Sequence, residues 1–340
     1  MSARAHILPV FVPHRGCPHA CVFCNQRRIS GAVMPASAED VKKAIHEAAA
    51  FLPRGGKRQL AFYGGSFTAI PVPEQEALLG AAKAALDRGE IDSVRLSTRP
   101  DAIDETVRAR LKAYAVETIE LGAQSMDDEV LRMSERGHTA ADVERASKLI
   151  KDAGFRLILQ MMTGLPGAAE ETDIETARRL IALRPDGVRV YPTVIVRDTE
   201  LYELWRAGEY REHTVEDAVR VCSKIVPLFE RAGIPIIRLG LNPTEELSGG
   251  AAVGGAYHPA LGELVRSRIL LDKARAVLNG IEPGSRVILL VGRGKASQMA
   301  GQHRENVTRL TEEFGLSELK IREKSEPDGE ISLLLPQRPQ

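Results

Sequence analysis

The chain has 340 residues, of which 44% are hydrophobic, so it can bury a substantial core organised as one large domain and a smaller one. Lysine plus arginine number 46 and aspartate plus glutamate also number 46, so the net charge gives no global argument for nucleic acid or for a membrane surface. No apolar run approaches the ~20 residues that span a bilayer, and the N-terminus lacks the apolar core of a signal peptide. These features predict a cytoplasmic protein in a reducing compartment, with no membrane partner.

The first predicted strand, residues 6–12, leads into a loop that holds three of the four cysteines. Cys17, Cys21 and Cys24 are spaced C-x3-C-x2-C, so one short loop can turn three thiolates toward a common centre. Three soft sulfur ligands suit an iron–sulfur cluster. A cubic 4Fe-4S cluster normally takes four ligands, so a set of three leaves one iron open to a substrate or cofactor.

Zinc is the alternative that the residues leave open, because His14 or His19 can complete a tetrahedral ligand set. Zinc knuckles usually contain paired C-x2-C halves, and no second pair follows here. A structural disulfide fits poorly with so few cysteines in a chain of this length. A non-enzymatic, zinc-bound RNA-binding module therefore stands beside the cluster as a second hypothesis.

Strands and helices alternate through the next 150 residues. Ser37 is predicted as the N-cap of a helix to about residue 52, and another helix is predicted at 73–88. Further strands are predicted at 59–63, 93–97, 118–122, 156–161 and 187–190. Six strand–helix units predict a parallel sheet that right-handed crossovers can curl into a partial barrel. A closed eight-stranded barrel or a doubly wound sheet would give nearly the same pattern.

The polar motifs each follow a predicted strand, and parallel α/β folds build their sites at the C-terminal ends of strands. Gly64-Gly65-Ser66 offer backbone that a ligand can approach closely. Gln124 and Arg136 offer an amide for a diol and a guanidinium fork for a carboxylate. Met162 can pack adaptably against an aromatic ring. A tight turn, a structural glutamine, a surface arginine and a core methionine are the corresponding structural interpretations.

The second part of the chain differs in character. Residues 242–262 are rich in glycine and proline, which predicts a linker or lid before a helix at about 261–278. Strands are then predicted near 287–291, 319–321 and 331–335, with a helix near 299–314. We therefore expect three parts, at 1–241, 242–282 and 283–340, the last a small α+β unit. A modest excess of basic residues there, between 284 and 324, is consistent with a phosphate-bearing partner and with an ordinary surface.

The C-x3-C-x2-C loop after a first strand resembles the signature of the radical S-adenosylmethionine superfamily. The stretches Gly-Gly-Ser-Phe-Thr at 64–68, Glu-Leu-Gly-Ala-Gln-Ser at 120–125 and Tyr-Pro-Thr-Val at 191–194 resemble the radical domain of the Elongator catalytic subunit and, more distantly, oxygen-independent coproporphyrinogen oxidase. Ser97 departs from the pattern, because the Elongator subunit has glutamate in the matching position.

The resemblance implies a fold and a set of cofactor contacts. The fold is α/β, a partial (βα)6 TIM-like barrel with a small α+β C-terminal unit. In the superfamily a Gly-Gly motif, here Gly64-Gly65-Ser66, contacts the amino group of S-adenosylmethionine. Gln124 and Gln160 match positions that reach the ribose, Arg136 matches the partner of the carboxylate, and Met162 lies beside the Gly-Leu-Pro-Gly turn near the adenosine.

The resemblance also implies an enzyme reaction and partners. The reduced 4Fe-4S cluster would cleave S-adenosylmethionine to a 5'-deoxyadenosyl radical, with an electron donor such as flavodoxin or ferredoxin. A tRNA nucleoside is the expected substrate. The alternative is the same chemistry on a small metabolite such as a tetrapyrrole or cofactor precursor.

Overall fold

The structure, a computed structural model, describes residues 6–12, 17–18, 20–25, 36–51, 56–325 and 330–335. His14 and His19, the alternative zinc ligands, lie outside these residues. The chain divides into two compact units, one formed by residues 1–218 and 225–259 and the other by residues 219–224 and 260–340. The three-part division expected from the sequence stays a prediction.

Eight strands are described between residues 6 and 239. They are β1 (His6–Phe11), β2 (Arg58–Tyr63), β3 (Ser93–Thr98), β4 (Val116–Gln124), β5 (Arg156–Thr163), β6 (Gly187–Pro192), β7 (Val194–Val196) and β8 (Ile236–Leu239). All except β7 form one sheet whose spatial order follows the chain. Every neighbouring pair in this sheet is parallel. The sheet curls into an open barrel, which confirms the predicted partial TIM-like fold and adds a seventh strand at 236–239.

Helices connect these strands. They are α1 (Ala38–Phe51), α2 (Val72–Asp87), α3 (Glu105–Ala113), α4 (Asp128–Met133), α5 (Ala140–Asp152), α6 (Glu170–Ala182), α7 (Glu200–Arg206) and α8 (Val215–Arg231). The predicted N-cap of α1 is present, because the Ser37 hydroxyl accepts the Asp40 amide at 3.3 Å while the Asp40 carboxylate accepts the Ser37 amide at 2.8 Å. Thr139 and Thr214 form capping boxes at α5 and α8. No helix in the described part of the chain is long and apolar enough to cross a membrane.

Most residues of strands β2 to β6 are buried or half-buried, as is usual in parallel sheets, whereas β1 and β8 at the edges carry exposed residues. Leu60, Phe62 and Leu96 are fully buried. The alternate side chains, such as Tyr63 and Ser97, line a cavity. The period of two along each strand therefore sends apolar groups to the core and a mixed set of groups to the cavity.

The glycine-rich segment is more regular than the sequence predicted. Residues 247–251 form a helical turn, and β9 (Ala252–Gly255) pairs antiparallel with β7. Gly255 has a φ of +79°, and a Cβ there would lie 2.7 Å from the Thr193 carbonyl oxygen. Only glycine fits this position, so a residue that suggested irregular structure instead permits close strand pairing.

The second unit contains a small mixed sheet and three helices. Its elements are α9 (Leu261–Leu278), β10 (Arg286–Val291), α10 (Ala296–Ala300), α11 (Glu305–Glu313), β11 (Glu318–Glu323) and β12 (Ser332–Leu334). β10 is central, parallel to β11 and antiparallel to β12. The single helix predicted at 299–314 was wrong, because His303 and Arg304 have positive φ and separate α10 from α11. Leu271, Leu289 and Leu310 lie in one buried core.

Candidate active site

A cavity of about 600 Å³ lies inside the barrel and reaches the C-terminal ends of its strands. Residues of the cysteine loop and of several strand ends share its wall. The predicted site residues that line it are Cys17, Cys21, Cys24, Gly64, Gly65, Gln124, Arg136, Gln160 and Met162. Ser66 is the predicted residue that does not. Motifs spread over more than 140 positions of sequence therefore meet at one cavity.

Backbone hydrogen bonds hold the cysteine loop against the barrel. The Cys24 amide donates to the Cys21 carbonyl at 2.9 Å, which makes a tight turn between these two cysteines. The intervening Val22 is anchored on both sides, to the Ser134 carbonyl at 3.3 Å and by the Leu201 amide at 2.8 Å. Among the described residues no three metal-binding side chains are gathered around one point. In this part of the chain the three cysteines thus line one cavity without being gathered around one point.

Two arginines bring positive charge to the cysteines. Arg136 Nη1 donates to Cys21 Sγ at 3.0 Å, and Arg136 Nη2 donates to the Gly122 carbonyl at 2.8 Å. The Arg99 guanidinium donates to the Arg136 carbonyl and forms an ion pair with Asp101 at 3.0 Å. Positive charge therefore lies beside Cys21 Sγ, and the thiolate is the form of cysteine that binds metal.

Cys17 experiences opposing influences. Partial burial and the neighbouring Cys21 raise its pKa, whereas Arg99, Arg136 and a hydrogen bond from the Ser66 amide act to lower it. The net direction is upward, because desolvation of a thiolate outweighs the distant positive charges. Metal binding at Cys17 would therefore displace a proton.

Ser66 contacts Cys17 through its backbone amide and the end of β3 through its hydroxyl group. Its hydroxyl lies 3.0 Å from Thr98 Oγ1 and accepts the Arg99 amide at 3.3 Å. These contacts fix the turn after β2 against the end of β3. Gly64, at the start of the turn, has a φ of +93°, which favours glycine and leaves the backbone open to the cavity.

Gln124 ends β4 in a left-handed conformation with a φ of +66°. The strand register shifts between Gly122 and Gln124, a bulge that re-aims the glutamine side chain. Gln160 Nε2 lies 3.5 Å from Gln124 Oε1, so the two amides are neighbours on the wall. A Cβ on Gly122 would lie 3.3 Å from Gln124 Nε2 and 3.4 Å from Arg136 Nη2. Glycine at 122 therefore leaves space for the side chains of Gln124 and Arg136.

The Gly-Leu-Pro-Gly turn after β5 is held from its outer side. The Gly164 amide donates to Asp173 Oδ2 at 2.9 Å, and the Tyr210 hydroxyl donates to the Gly164 carbonyl at 2.6 Å. A Cβ on Gly164 would overlap the His213 ring at 2.1 Å. Burial raises the pKa of Asp173 to about 7. A buried polar group thus supports the turn that leads away from Met162.

The residues from the end of β6 to α7 have two different roles. Tyr191, Pro192 and Val194 line the cavity. The ring centroids of Trp205 and Tyr202 in α7 lie 6.2 Å apart with the rings tilted by 40°, and both side chains pack against a buried apolar cluster. Trp205 is therefore a packing residue.

A buried ionic cluster in the barrel was missed by the sequence reasoning. We call it the Glu120 cluster, and it consists of Tyr63, Arg95, Glu120, Arg189 and Tyr191. Glu120 Oε1 accepts from Tyr63 at 3.0 Å, from Arg95 at 2.5 Å and from Arg189 at 2.9 Å. The sequence contained a signal for this cluster. Arg95 and Arg189 each interrupt an apolar strand, and a charged residue is expected there only with a buried partner.

The residues around the cysteines fit an anionic, sulfur-bound cofactor. Buried Arg99 Nη1 and Arg136 Nε have no acceptor among the described residues. Buried donors without acceptors are rare in folded proteins and fit a site that a ligand carboxylate completes. The donor set of three cysteine sulfurs is the one that suits an iron–sulfur cluster.

Comparisons with known proteins agree with this geometry. Residues 11–180 match the radical SAM superfamily and residues 185–270 match the radical SAM C-terminal domain. Elongator complex protein 3 of Homo sapiens is 36% identical over 138 residues, which cover 40% of this chain and 25% of that protein. The tRNA uridine(34) acetyltransferase of Methanocaldococcus infernus is 28% identical over 232 residues, which cover 62% of this chain and 42% of that protein. The chain thus spans less than half the length of these relatives.

A solved structure shares the fold. The Elp3 protein of Methanocaldococcus infernus with an N-terminal deletion superposes with a TM-score of 0.64 at 20% identity, over 85% of this chain and 71% of that one. The match over 11–180 covers half of the 340 residues. The chain therefore belongs to the radical SAM superfamily, and this membership implies an enzyme that uses S-adenosylmethionine and an iron–sulfur cluster.

Proposed function

We propose that this enzyme holds a 4Fe-4S cluster on Cys17, Cys21 and Cys24 and uses it to initiate hydrogen abstraction from a tRNA nucleoside. One observation carries the proposal: a single cavity is lined both by the three cysteines of the loop and by the polar groups at the strand ends. When bound, the reduced cluster supplies the electron that cleaves S-adenosylmethionine into methionine and a 5'-deoxyadenosyl radical. The protein's own residues bind, orient and shield the reactants.

The methionyl end of S-adenosylmethionine would lie between the glycine turn and the arginines. Gly64 and Gly65 line the cavity with backbone that an amino group can approach. In the part of the chain that the structure describes, the buried Nε of Arg136 has no acceptor, and a carboxylate is the group that a guanidinium fork binds best. Ser66 holds this turn in place through its hydrogen bonds to β3.

The adenosyl end would lie along β4 and β5. The adjacent amides of Gln124 and Gln160 can both donate to and accept from the two hydroxyls of a ribose. Met162 lines the cavity next to them and can pack against an adenine ring. Residues of two neighbouring strands would thus contact the ribose and the adenine.

The choice of a tRNA substrate is supported by the relatives. Both are Elongator or tRNA uridine(34) proteins by name, and their matches extend over 138 and 232 residues. The basic excess predicted near 284–324 adds electrostatic support for a polyanionic partner. Because the chain spans less than half of those proteins, we propose the radical step on a tRNA nucleoside and leave acetyl transfer aside.

The cluster is tested by anaerobic reconstitution of wild type, Cys21→Ala and Cys222→Ala. Cys222 is the matched control, since it is a buried cysteine outside the loop. We expect bound iron and sulfide, and 5'-deoxyadenosine after dithionite reduction, in wild type and Cys222→Ala but not in Cys21→Ala. A colourless protein that takes up zinc and forms no 5'-deoxyadenosine would instead establish the zinc module.

The substrate is tested with bulk tRNA from a strain that lacks the gene. Incubation with reconstituted enzyme, S-adenosylmethionine and flavodoxin or ferredoxin should alter one nucleoside, detected by mass spectrometry of the digested tRNA. Identical nucleoside profiles in deletion and parent strains would exclude the tRNA substrate and leave the radical chemistry in place for a small metabolite.

A further inference from the structure

The Glu120 cluster lies deeper in the barrel than the cysteine loop. Arg189 is two residues before Tyr191 on β6, so its side chain is on the same strand face about 7 Å further from the C-terminal end. In register, Arg189 pairs with Gln160 and Tyr191 with Met162. Arg189, Tyr191 and Glu120 all line the cavity. The cavity therefore has a sulfur-lined end and an end lined by arginine.

Positive charge exceeds negative charge at this inner end. Glu120, with a side chain 3% exposed, pairs with both Arg95 and Arg189, whose side chains are 11% and 14% exposed. Arg238, the strand neighbour of Arg189, donates to the Gly240 and Leu241 carbonyls. Among the described residues Glu120 is the carboxylate that pairs with Arg95 and Arg189, so one carboxylate faces two guanidinium groups, and Arg238 adds a third on the neighbouring strand.

Such an excess is unfavourable unless another anion compensates it. A buried guanidinium that lacks its counter-charge destabilises the fold, because a low-dielectric interior solvates the charge poorly. Glu120 already accepts three hydrogen bonds at Oε1. Among the described residues the buried Nε atoms of Arg95 and Arg189 still have no hydrogen-bond acceptor, although Arg189 Nε lies 2.7 Å from Glu120 Oε2. A further anion in the cavity would supply the missing charge.

Arg189 and Tyr191 have donors available for that anion. Among the described residues, Arg189 Nη1 makes a single hydrogen bond, to the Tyr191 hydroxyl oxygen at 3.4 Å, and this bond is long. The Tyr191 hydroxyl accepts in this contact, so its own proton can be donated elsewhere. A guanidinium fork beside a hydroxyl suits a compact oxyanion.

We propose that Arg189 and Tyr191 form a subsite that binds an anionic group of the substrate, a phosphate or a carboxylate, at the inner end of the cavity. The inference rests on the proposed function in one respect, namely that this cavity receives the substrate. A nucleotide would present a phosphate and a small metabolite would present a carboxylate. The rest of the substrate would extend from this anchor toward the cysteine end.

The test is calorimetric titration of the reconstituted enzyme with S-adenosylmethionine present at saturation, so that the Arg136 end is filled. The probes are inorganic phosphate, uridine 5'-monophosphate and glutarate. We expect one of these anions to bind wild type, and Arg189→Gln to weaken that binding at least tenfold. Tyr191→Phe should weaken it severalfold. Arg132→Gln is the control, because Arg132 is an exposed arginine that also pairs with a glutamate.

Each outcome decides the proposal. Binding of phosphate or the nucleotide supports the subsite and a nucleotide substrate, whereas binding of glutarate supports the subsite and a carboxylic acid. The subsite is refuted if no probe binds wild type, or if Arg189→Gln binds as tightly as wild type. If Arg189→Gln does not fold, Arg189→Lys and Tyr191→Phe replace it in the test. Arg189→Lys keeps the positive charge but lacks the guanidinium fork. If the wild-type enzyme forms no 5'-deoxyadenosine, the proposed function is refuted but the anion subsite is not, because anion binding is measured separately.

Discussion

Asp173 makes the stability of this protein depend on pH in an unusual direction. Its carboxyl group is 5% exposed and accepts the Gly164 amide at 2.9 Å. Burial raises its pKa to about 7, from an ordinary value of 3.8, although the Gly164 hydrogen bond opposes the shift. An aspartate with a depressed pKa would stabilise the fold at neutral pH. Here the folded state instead favours the protonated acid.

The size of the effect follows from the two pKa values. Between pH 4 and 7 the unfolded chain has lost this proton while the folded chain keeps it, so the free energy of unfolding falls as pH rises. Each pH unit of separation corresponds to about 1.36 kcal/mol, so a separation of ~3 units corresponds to about 4 kcal/mol in total. Roughly 2 to 3 kcal/mol of this loss falls between pH 5 and pH 8.

The test compares urea unfolding of wild type and Asp173→Asn at several values between pH 5 and pH 8. Asparagine keeps an oxygen for the Gly164 amide but cannot ionise, so the variant should gain about 2 to 3 kcal/mol relative to wild type across this range. Asp186→Asn is the control, because the exposed Asp186 carboxylate also accepts one backbone amide, from Leu157 at 2.8 Å. Parallel pH dependences for wild type and Asp173→Asn would refute the argument.

Three further predictions concern other buried groups. Burial and nearby Arg136 lower the pKa of His138 to about 4, so wild type should lose stability as pH falls from 6.5 through 4, and His138→Gln should flatten its urea midpoints over that range. Gly122→Ala should weaken S-adenosylmethionine binding about tenfold in equilibrium dialysis, since the added methyl group crowds Gln124 and Arg136, which we propose as its ligands, while Gly80→Ala has open space and should not. Asn306→Ala removes buried amide hydrogen bonds in the second unit and should lower its unfolding free energy by about 1 to 3 kcal/mol in urea.

The sequence predicted the parts of the site whose chemistry is local. The spacing of Cys17, Cys21 and Cys24 within one loop predicted a metal site. Gln124 and Arg136 were predicted from their residue types after a strand. Alternating strands and helices predicted a parallel α/β sheet, but a closed eight-stranded barrel and a doubly wound sheet fit the same pattern. The choice of the partial barrel came from the resemblance to a known family.

Features that depend on strand register could not be predicted in the same way. Glu120 meets Arg95 from 25 positions away and Arg189 from 69 positions away. Which strand faces which, and with what stagger, decides whether such charges pair or repel. The strand at 236–239 was missed for a related reason, because four residues are too few to show a period.

The two ends of the cavity also differ in how their positive charges are compensated. At the cysteine end, positive charge from Arg99 and Arg136 stands beside sulfur atoms that become negative when they bind metal, so the charges compensate once the cofactor is held. At the inner end Glu120 balances one guanidinium while Arg95 and Arg189 both contact it. Removal of Glu120 would leave two buried arginines facing each other, at a cost comparable to breaking a buried ion pair, about 3 to 5 kcal/mol. The carboxylate therefore keeps the arginines together, and the charge it leaves unbalanced is the charge that a substrate anion can satisfy.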